Sequence, residues 1–308
     1  MEPLDLSGLK TYPLSDRPSK VVVADLGRPV APSTAIGDWI DTLPRQFAAV
    51  DLRKLRDHVV RCHREKHTVA VAIGGHVIKV GCAPYLIDWI RREVVGCIAM
   101  NGSAAIHDFE LALAGKTSED VAAQLPGGHF GMARETADAF AHAARIGREK
   151  GIGLGAALGQ YIDDIGCPHA DISLVCAARR AGIPCTIHVA LGTDIVHMHS
   201  QVSGADLGDA SLTDFRILCR VVHGMMEGLW LNIGSAVIMP EVFLKAIAVA
   251  RNLGADLSGL VTANLDKEAK YRTRMNVLSR PSAQGIEIIG HHEILIPLLH
   301  AAVAASLA

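Results

Sequence analysis

Residues 96–115, GCIAMNGSAAIHDFELALAG, change their periodicity halfway along. The first part is a short apolar run that stops at Asn101-Gly102. From Ser103 onward the apolar residues recur at helical spacing. The stretch predicts a strand over 96–102 and a helix over 103–115, with Ser103 as N-cap. A strand that runs through a small polar turn directly into a helix is half of a β-α-β unit.

The same unit recurs on both sides. HTVAVAIGG (67–75) is a strand ending on two glycines, followed by the helical pattern APYLIDWIRREV (83–94). PCTIHVALG (184–192), GLWLNIGS (228–235), LSGLVTAN (257–264) and GIEIIGHH (285–292) read as further strands. Helical periods fill 211–225, 240–254 and 293–305, the last despite Pro297, and most of 118–182. Strands rich in Val and Ile that alternate with helices imply a mostly parallel sheet covered on both faces, an α/β doubly wound fold. Residues 1–45, rich in Pro and Asp, read as an N-terminal arm with one short strand candidate, VVVADL (21–26). No linker divides 46–308, which read as a single domain.

Composition excludes several function classes. Half of the 308 residues are apolar, 4% are aromatic and the net charge is -2, so no global field recruits nucleic acid or an anionic membrane. No basic stripe with interleaved aromatics appears, and no apolar run reaches the roughly 18 residues that a membrane span needs. MEPLDLSGLK carries early acids and does not read as a signal peptide. Seven cysteines, none in C-x-x-C, suit the reduced thiols of a cytoplasmic protein.

Polar residues collect where the apolar runs stop: Gly74-Gly75-His76, Asn101-Gly102-Ser103, Gly192-Thr193-Asp194, Asn232 to Ser235, Thr262 to Asn264 and Gly290 to Glu293. In open parallel sheets ligands bind outside the carboxyl ends of the strands, where helix N-termini supply amide donors. G-x-G-x-x-G follows no strand; GIGLGAALG (151–159) lies inside the helical block. His107 and His199 are acid–base candidates. His197 and His199, two apart, fall on one face of an extended segment. With His291, His292 or His107 they could hold a divalent metal, though hydrogen bonding is the simpler reading. Asp194 can orient a histidine, grip a ribose hydroxyl or close an Asx turn. Asp108 suits the dipole at the start of its own helix. His188, mid-strand, reads as a satisfied core residue. Arg272, Arg274 and Arg280 in YRTRMNVLSRP can clamp an acidic group, with Arg272 and Arg274 as the substrate-binding pair, or simply be solvated.

On these residues the chain resembles the deoxyhypusine synthase family over roughly 67–305. GCIAMNGSAAIHDFE is similar to the family's Thr-Thr-Ala-Gly-Gly…Glu-Glu-Asp segment, and SLVCAARRAGIPCTIHVALGTD to its segment ending in Thr-Asp-Gly. LNIGSAVIMPEVFLKA, GADLSGLVTAN and IEIIGHHEILIPLL resemble three later segments in the same order. NGSAAIHDFE is also similar to the NAD-binding domain of archaeal-type ornithine cyclodeaminases. The resemblance implies a Rossmann-like NAD-binding fold, a homotetramer, and NAD contacts at Asn101, Gly102, Ser103, Asp194, Gly234, Ser235, Thr262, Asn264, His291 and His292. It puts the reacting group near His107, His199 and Pro240. The family's catalytic lysine falls at Asn276, its active-site histidine at Pro240 and its acidic pair at Ile106-His107. The expectation is therefore an enzyme that uses NAD as transient oxidant on a small amine or hydroxy substrate, and not a true deoxyhypusine synthase. The alternatives are a nucleotide-binding sensor and a histidine–metal hydrolase or lyase.

Overall fold

The computed structural model describes all residues 1–308. Before the sheet come α1 (Ile36–Thr42) and α2 (Phe47–Glu65). The first half then runs β1 (Val69–Ile73), α3 (Gly75–Lys79), α4 (Ala83–Arg91), β2 (Cys97–Asn101), α5 (Gly102–Ala114), α6 (Val121–Gln124), α7 (Arg134–Lys150), α8 (Leu154–Asp164), α9 (Leu174–Ala181) and β3 (Cys185–His188). The second half runs α10 (Gly204–His223), β4 (Leu229–Ile233), α11 (Ile238–Asn252), β5 (Val261–Asp266), α12 (Tyr271–Thr273), a π-turn (Arg274–Ser279), β6 (Gln284–Ile289) and α13 (His292–Leu307).

The six strands form one sheet in the order β3-β2-β1-β4-β5-β6, and every pair is parallel. This is the doubly wound, Rossmann-like order, reversing between β1 and β4. Alternate strand residues feed two cores. Val69, Val71, Ile73, Ile98, Met100, Leu229 and Leu231 face the larger cluster. Ala70, Ala72, Ala99 and Trp230 face the smaller one, built on α10 and α11. Small residues on that second face let the helices lie close, and Trp230 fills the gap by stacking on Phe243 at 4.1 Å.

Three features differ from the sequence reading. VVVADL is not a strand: its valines are exposed and Val23–Asp25 is a single tight turn. Part of the N-terminal segment is helical, since α1 buries Ile40. The α5 cap is Asn101 rather than Ser103, its side chain accepting from the Ala104 amide at 2.9 Å. All seven cysteines are free, and no helix is long and apolar enough to cross a membrane.

Buried carboxyls tie the helices to the sheet. Asp108 does not serve its own helix. It accepts from Ser173 Oγ at 2.5 Å and from the Leu174 amide at 2.7 Å, capping α9. Asp214 on α10 accepts from the amides of Gly155 and Ile187 at 2.9 and 2.8 Å, joining α8 to β3. Burial pushes Asp108 up to about 6 and Asp214 up to about 7 against those hydrogen bonds.

Gly155→Ala should destabilise the chain by about 1–3 kcal/mol, because its Cβ would sit 1.9 Å from the Cys185 carbonyl oxygen. Gly208→Ala, which meets nothing within 4 Å on α10, should stabilise it by roughly 0.5–1 kcal/mol. Denaturant midpoints of the two variants check the pair. Native Asp214 keeps a proton that the unfolded chain has released above about pH 4, so this residue costs stability as pH rises toward about 7. Buried His188, pushed down to about 3, works in the opposite sense over much of that window. The difference between wild type and Asp214→Asn isolates the effect: wild type should lose ground to the variant between about pH 4 and 7 in melting experiments.

Candidate functional site

A parallel sheet places all its carboxyl ends on one margin, and that margin carries the candidate site. Close backbone contacts link its parts. Gly74 lies against the backbone of Gly234, where a Cβ would come within 2.1 Å of the carbonyl oxygen. Gly75 lies against Ser103 and His107, and Gly102 against Asp194, whose Oδ2 would be 2.1 Å from an added Cβ. Gly234, at φ +63, adjoins the ring of His292. Asp194, Gly102, Ser103, Gly75, Gly74, Gly234 and His292 thus form one contact chain. The crevice between β1 and β4 is filled by Gly74 and Gly234, so the open part of the margin lies over β2 and β3.

There a pocket of about 220 Å³ is lined by Lys79, Ser103, His107, Glu110, Glu119 and Asp194, with Ile106 and Phe130 among its apolar walls. Asp194 is nine-tenths buried and its Oδ2 has no hydrogen-bond partner. Burial pushes its carboxyl above the usual aspartate range, with His197 pulling the other way. His197 accepts at Nδ1 from the amides of Gly192 and Asp194, at 3.1 and 3.3 Å. A neutral ring therefore carries its hydrogen on Nε2, which is also unpartnered and lies 4.0 Å from Asp194 Oδ2. A buried acceptor without a donor costs about 1–3 kcal/mol, a cost that a donor from a bound ligand would offset.

His107 projects from α5 one turn below its N-terminus. Its Nδ1 is 2.7 Å from Thr117 Oγ1, which in turn donates to Glu110 Oε2. Burial raises the Glu110 carboxyl, but His107, and after it hydrogen bonds from Thr117 and Thr136, together hold it below its usual value.

A second polar group lies at the ends of β4 and β5. Asn232 donates to Asn264 Oδ1 at 2.8 Å and to the Ser235 carbonyl at 3.0 Å. Ser235 Oγ accepts from the Met239 amide and so caps α11. Asn264 Nδ2, Asp266 Oδ2 and His292 Nδ1 are buried there without partners. Thr262 Oγ1 is also unpartnered, but β5 runs on to Asp266, so Thr262 is its second residue, opposite Trp230, and not at the strand end expected of it. Burial holds His292 below the usual histidine range and therefore neutral.

The remaining candidates stand apart. His291 is exposed and 3.6 Å from Glu293. Arg272 pairs with Glu241 at 3.3 Å, and Arg274 forks onto Glu287 at 2.8–2.9 Å, both away from the pocket. His197 and His199 do not share a face, because Ile195–Met198 winds into a tight helical turn. His199 Nε2 instead meets the Gly131 carbonyl at 2.8 Å. No three His, Cys, Asp or Glu side chains come close enough to hold a metal ion, so the set His197, His199 and His291-His292 does not assemble. His188 is buried and bonded to Thr186, as expected of a core residue. Asn276, buried in the π-turn, donates to Glu241 and accepts from Arg280. Lys79, Glu110, Thr117 and Glu119 were not singled out from the sequence. Glu110, three residues beyond His107 on one helical face, had a readable signal; Lys79 had none.

No family model matches the sequence, and no curated protein does. Solved structures share the fold. A conserved protein described as LOR/SDH from Methanococcus maripaludis S2 has a TM-score of 0.57 at 13% identity, covering 85% of this chain and 70% of that one. AgrE, solved as a ternary complex with ornithine and NAD+, has a TM-score of 0.56 at 13% identity and covers 83% of this chain. The chain spans only 33% of AgrE's length. A protein described as a deoxyhypusine synthase from Entamoeba histolytica has a TM-score of 0.53 at 10% identity, covering 91% of this chain and 96% of that one. At such identities the likeness establishes a Rossmann-like α/β fold and nothing finer.

Asp194→Asn should raise stability above neutral pH by about 1 kcal/mol, since it removes a buried charge without a partner. A denaturant midpoint no higher than that of wild type would show that Oδ2 is satisfied.

Proposed function

We propose that the chain is an enzyme of deoxyhypusine synthase-like fold that uses NAD as a transient oxidant on a small amine or hydroxy substrate. It is not a true deoxyhypusine synthase. The observation that carries the reading is the unpaired, buried Asp194 carboxyl facing the same pocket as His107. What sets it apart from the unpaired Asp214 Oδ1 is its place in a pocket shared with Lys79, His107, Glu110 and Glu119, where a polar ligand would complete it.

The residues present suit NAD. Acceptors and donors without partners, Asp194 Oδ2, Asn264 Nδ2 and His292 Nδ1, line the margin and match ribose hydroxyls and an amide. The start of α5 supplies amides at Gly102 and Ser103. Asn101, Gly234, Ser235 and His291 complete the cofactor set carried over from the resemblance, whereas Thr262, fully buried near the start of β5, lies too far below the margin to join it. NAD, when bound, supplies a hydride acceptor that later returns the hydride. His107 takes and gives back the proton of the amine or hydroxyl. Asp194 holds that group or the nearby ribose, with His197 setting its position. His199, tied to Gly131, holds the wall of the pocket. Arg272 and Arg274 would have to leave Glu241 and Glu287 to meet an acidic substrate group, while Lys79 already faces the pocket. Asn276, held by Glu241 and Arg280, offers no amine nucleophile, which favours proton transfer by His107 over an imine on the chain. Exposed Leu4, Leu6, Leu9 and Tyr12 in the arm suit a homo-oligomer, tetrameric by the resemblance, in the cytoplasm.

NAD at a hundredfold excess over its Kd should stabilise the wild type by about 2.7 kcal/mol, read as a rise in Tm. Ser103→Ala and Asp194→Asn should lose most of that rise while melting as cooperatively as wild type without NAD. No rise in the wild type, with no heat of binding by calorimetry, rejects the cofactor.

A further inference from the structure

His107 meets a carboxylate through an intervening hydroxyl, and the hydrogens on that path can be counted. Thr117 Oγ1 carries one hydrogen and lies 2.5 Å from Glu110 Oε2. Glu110, held below its usual pKa, is ionised and has only lone pairs to offer. Its other oxygen already accepts from Thr136 Oγ1 at 3.0 Å. The Thr117 hydrogen therefore goes to Glu110, because the reverse arrangement would set two lone pairs against each other at that distance. Toward His107, Thr117 has lone pairs alone. The 2.7 Å contact at Nδ1 is then a hydrogen bond only if the ring donates. Nδ1 and Glu110 Oε2 are themselves 3.9 Å apart, too far for a direct bond.

From this geometry we infer that Glu110 and Thr117 are positioning residues that lock His107 as its Nδ1–H tautomer and leave Nε2 as a bare base toward the pocket. The inference rests on the reading of His107 as the acid–base group and states what sets it. Nε2 has no hydrogen-bond partner and is not among the sealed polar atoms. The charged groups around the ring are Lys79 from α3, Glu110 from its own helix, Glu119 from the segment after α5, and Asp194 beyond β3. When Nε2 takes a proton, the ring becomes a cation whose Nδ1–H still points down the relay to the Glu110 carboxylate, so the protonated form is stabilised without any side chain moving. The relay uses three chain segments: α5 for His107 and Glu110, the loop after it for Thr117, and the first turn of α7 for Thr136.

Nitrogen NMR of the full-length protein labelled with 15N-histidine reads the tautomer directly, with His107→Gln assigning the signals. Above the ring's titration, wild type should show a protonated Nδ1 and a bare Nε2. Thr117→Val should move the population toward Nε2–H, and Thr117→Ser should restore the wild-type pattern. A wild-type ring in the Nε2–H form overturns the inference, as does a tautomer that ignores Thr117→Val in a variant with wild-type circular dichroism. No NAD or substrate is needed, so failure to bind NAD would reject the proposed function and leave the relay standing, and the wrong tautomer would do the reverse.

Discussion

Six strands running in one direction oblige every connection to cross back over a face of the sheet. All six carboxyl ends, and the helix starts that follow them, must then open on one margin. The rest of the molecule follows from that constraint. Alanines at 70, 72 and 99 let α10 and α11 approach one face, and branched residues fill the other. The turns on the margin have little room, so glycines occupy the places where one backbone or carboxylate presses on another. Gly74 against Gly234 closes the reversal point, and Gly102 admits Asp194 beside the start of α5.

Three buried aspartates show how the same side chain serves different ends. Asp108 and Asp214 are surrounded by amides and hydroxyls from elements far away in sequence, and they act as internal caps. Asp214 Oδ1 and Asp194 Oδ2 both lack a donor, but only Asp194 lies in a pocket whose other walls are also titratable. Desolvation raises all three. In the first two the hydrogen bonds return part of that cost to the fold. In the third the offset comes from His197, through the capping box and its ring beside the carboxylate, and Oδ2 is left without a donor.

Much of the organisation was legible locally. Several strand endings were marked by a small polar triplet, because a chain that turns sharply into a helix needs residues without bulk and with capping oxygens. Thr262–Asn264 instead lies inside β5, and Gly192–Asp194 begins four residues past β3. Asn101 and Gly102 were readable on that ground, although the capping role passed from Ser103 to Asn101. Asp108 was misread as serving its own helix, since nothing near it in sequence shows that Ser173 and Leu174 lie beneath it. His197 and His199 were expected on one face because two-residue spacing aligns side chains only in extended chain; the capping box between Asp194 and His197 winds that segment instead. Lys79 entered the pocket only because α3 crosses over α5.

From the residues alone came the alternation of strands and helices, the parallel sheet, the polar carboxyl margin and the candidacy of His107 and Asp194. These depend on period, bulk and capping chemistry, which act over a few neighbouring positions. Only the tertiary structure decided which of the margin's residues share a pocket, which arginines are already paired, and that Glu110 and Thr117 stand behind His107. Those facts depend on distances between segments far apart in the chain, as Lys79 and Asp194 are, and a contact between two such segments has no periodicity to announce it.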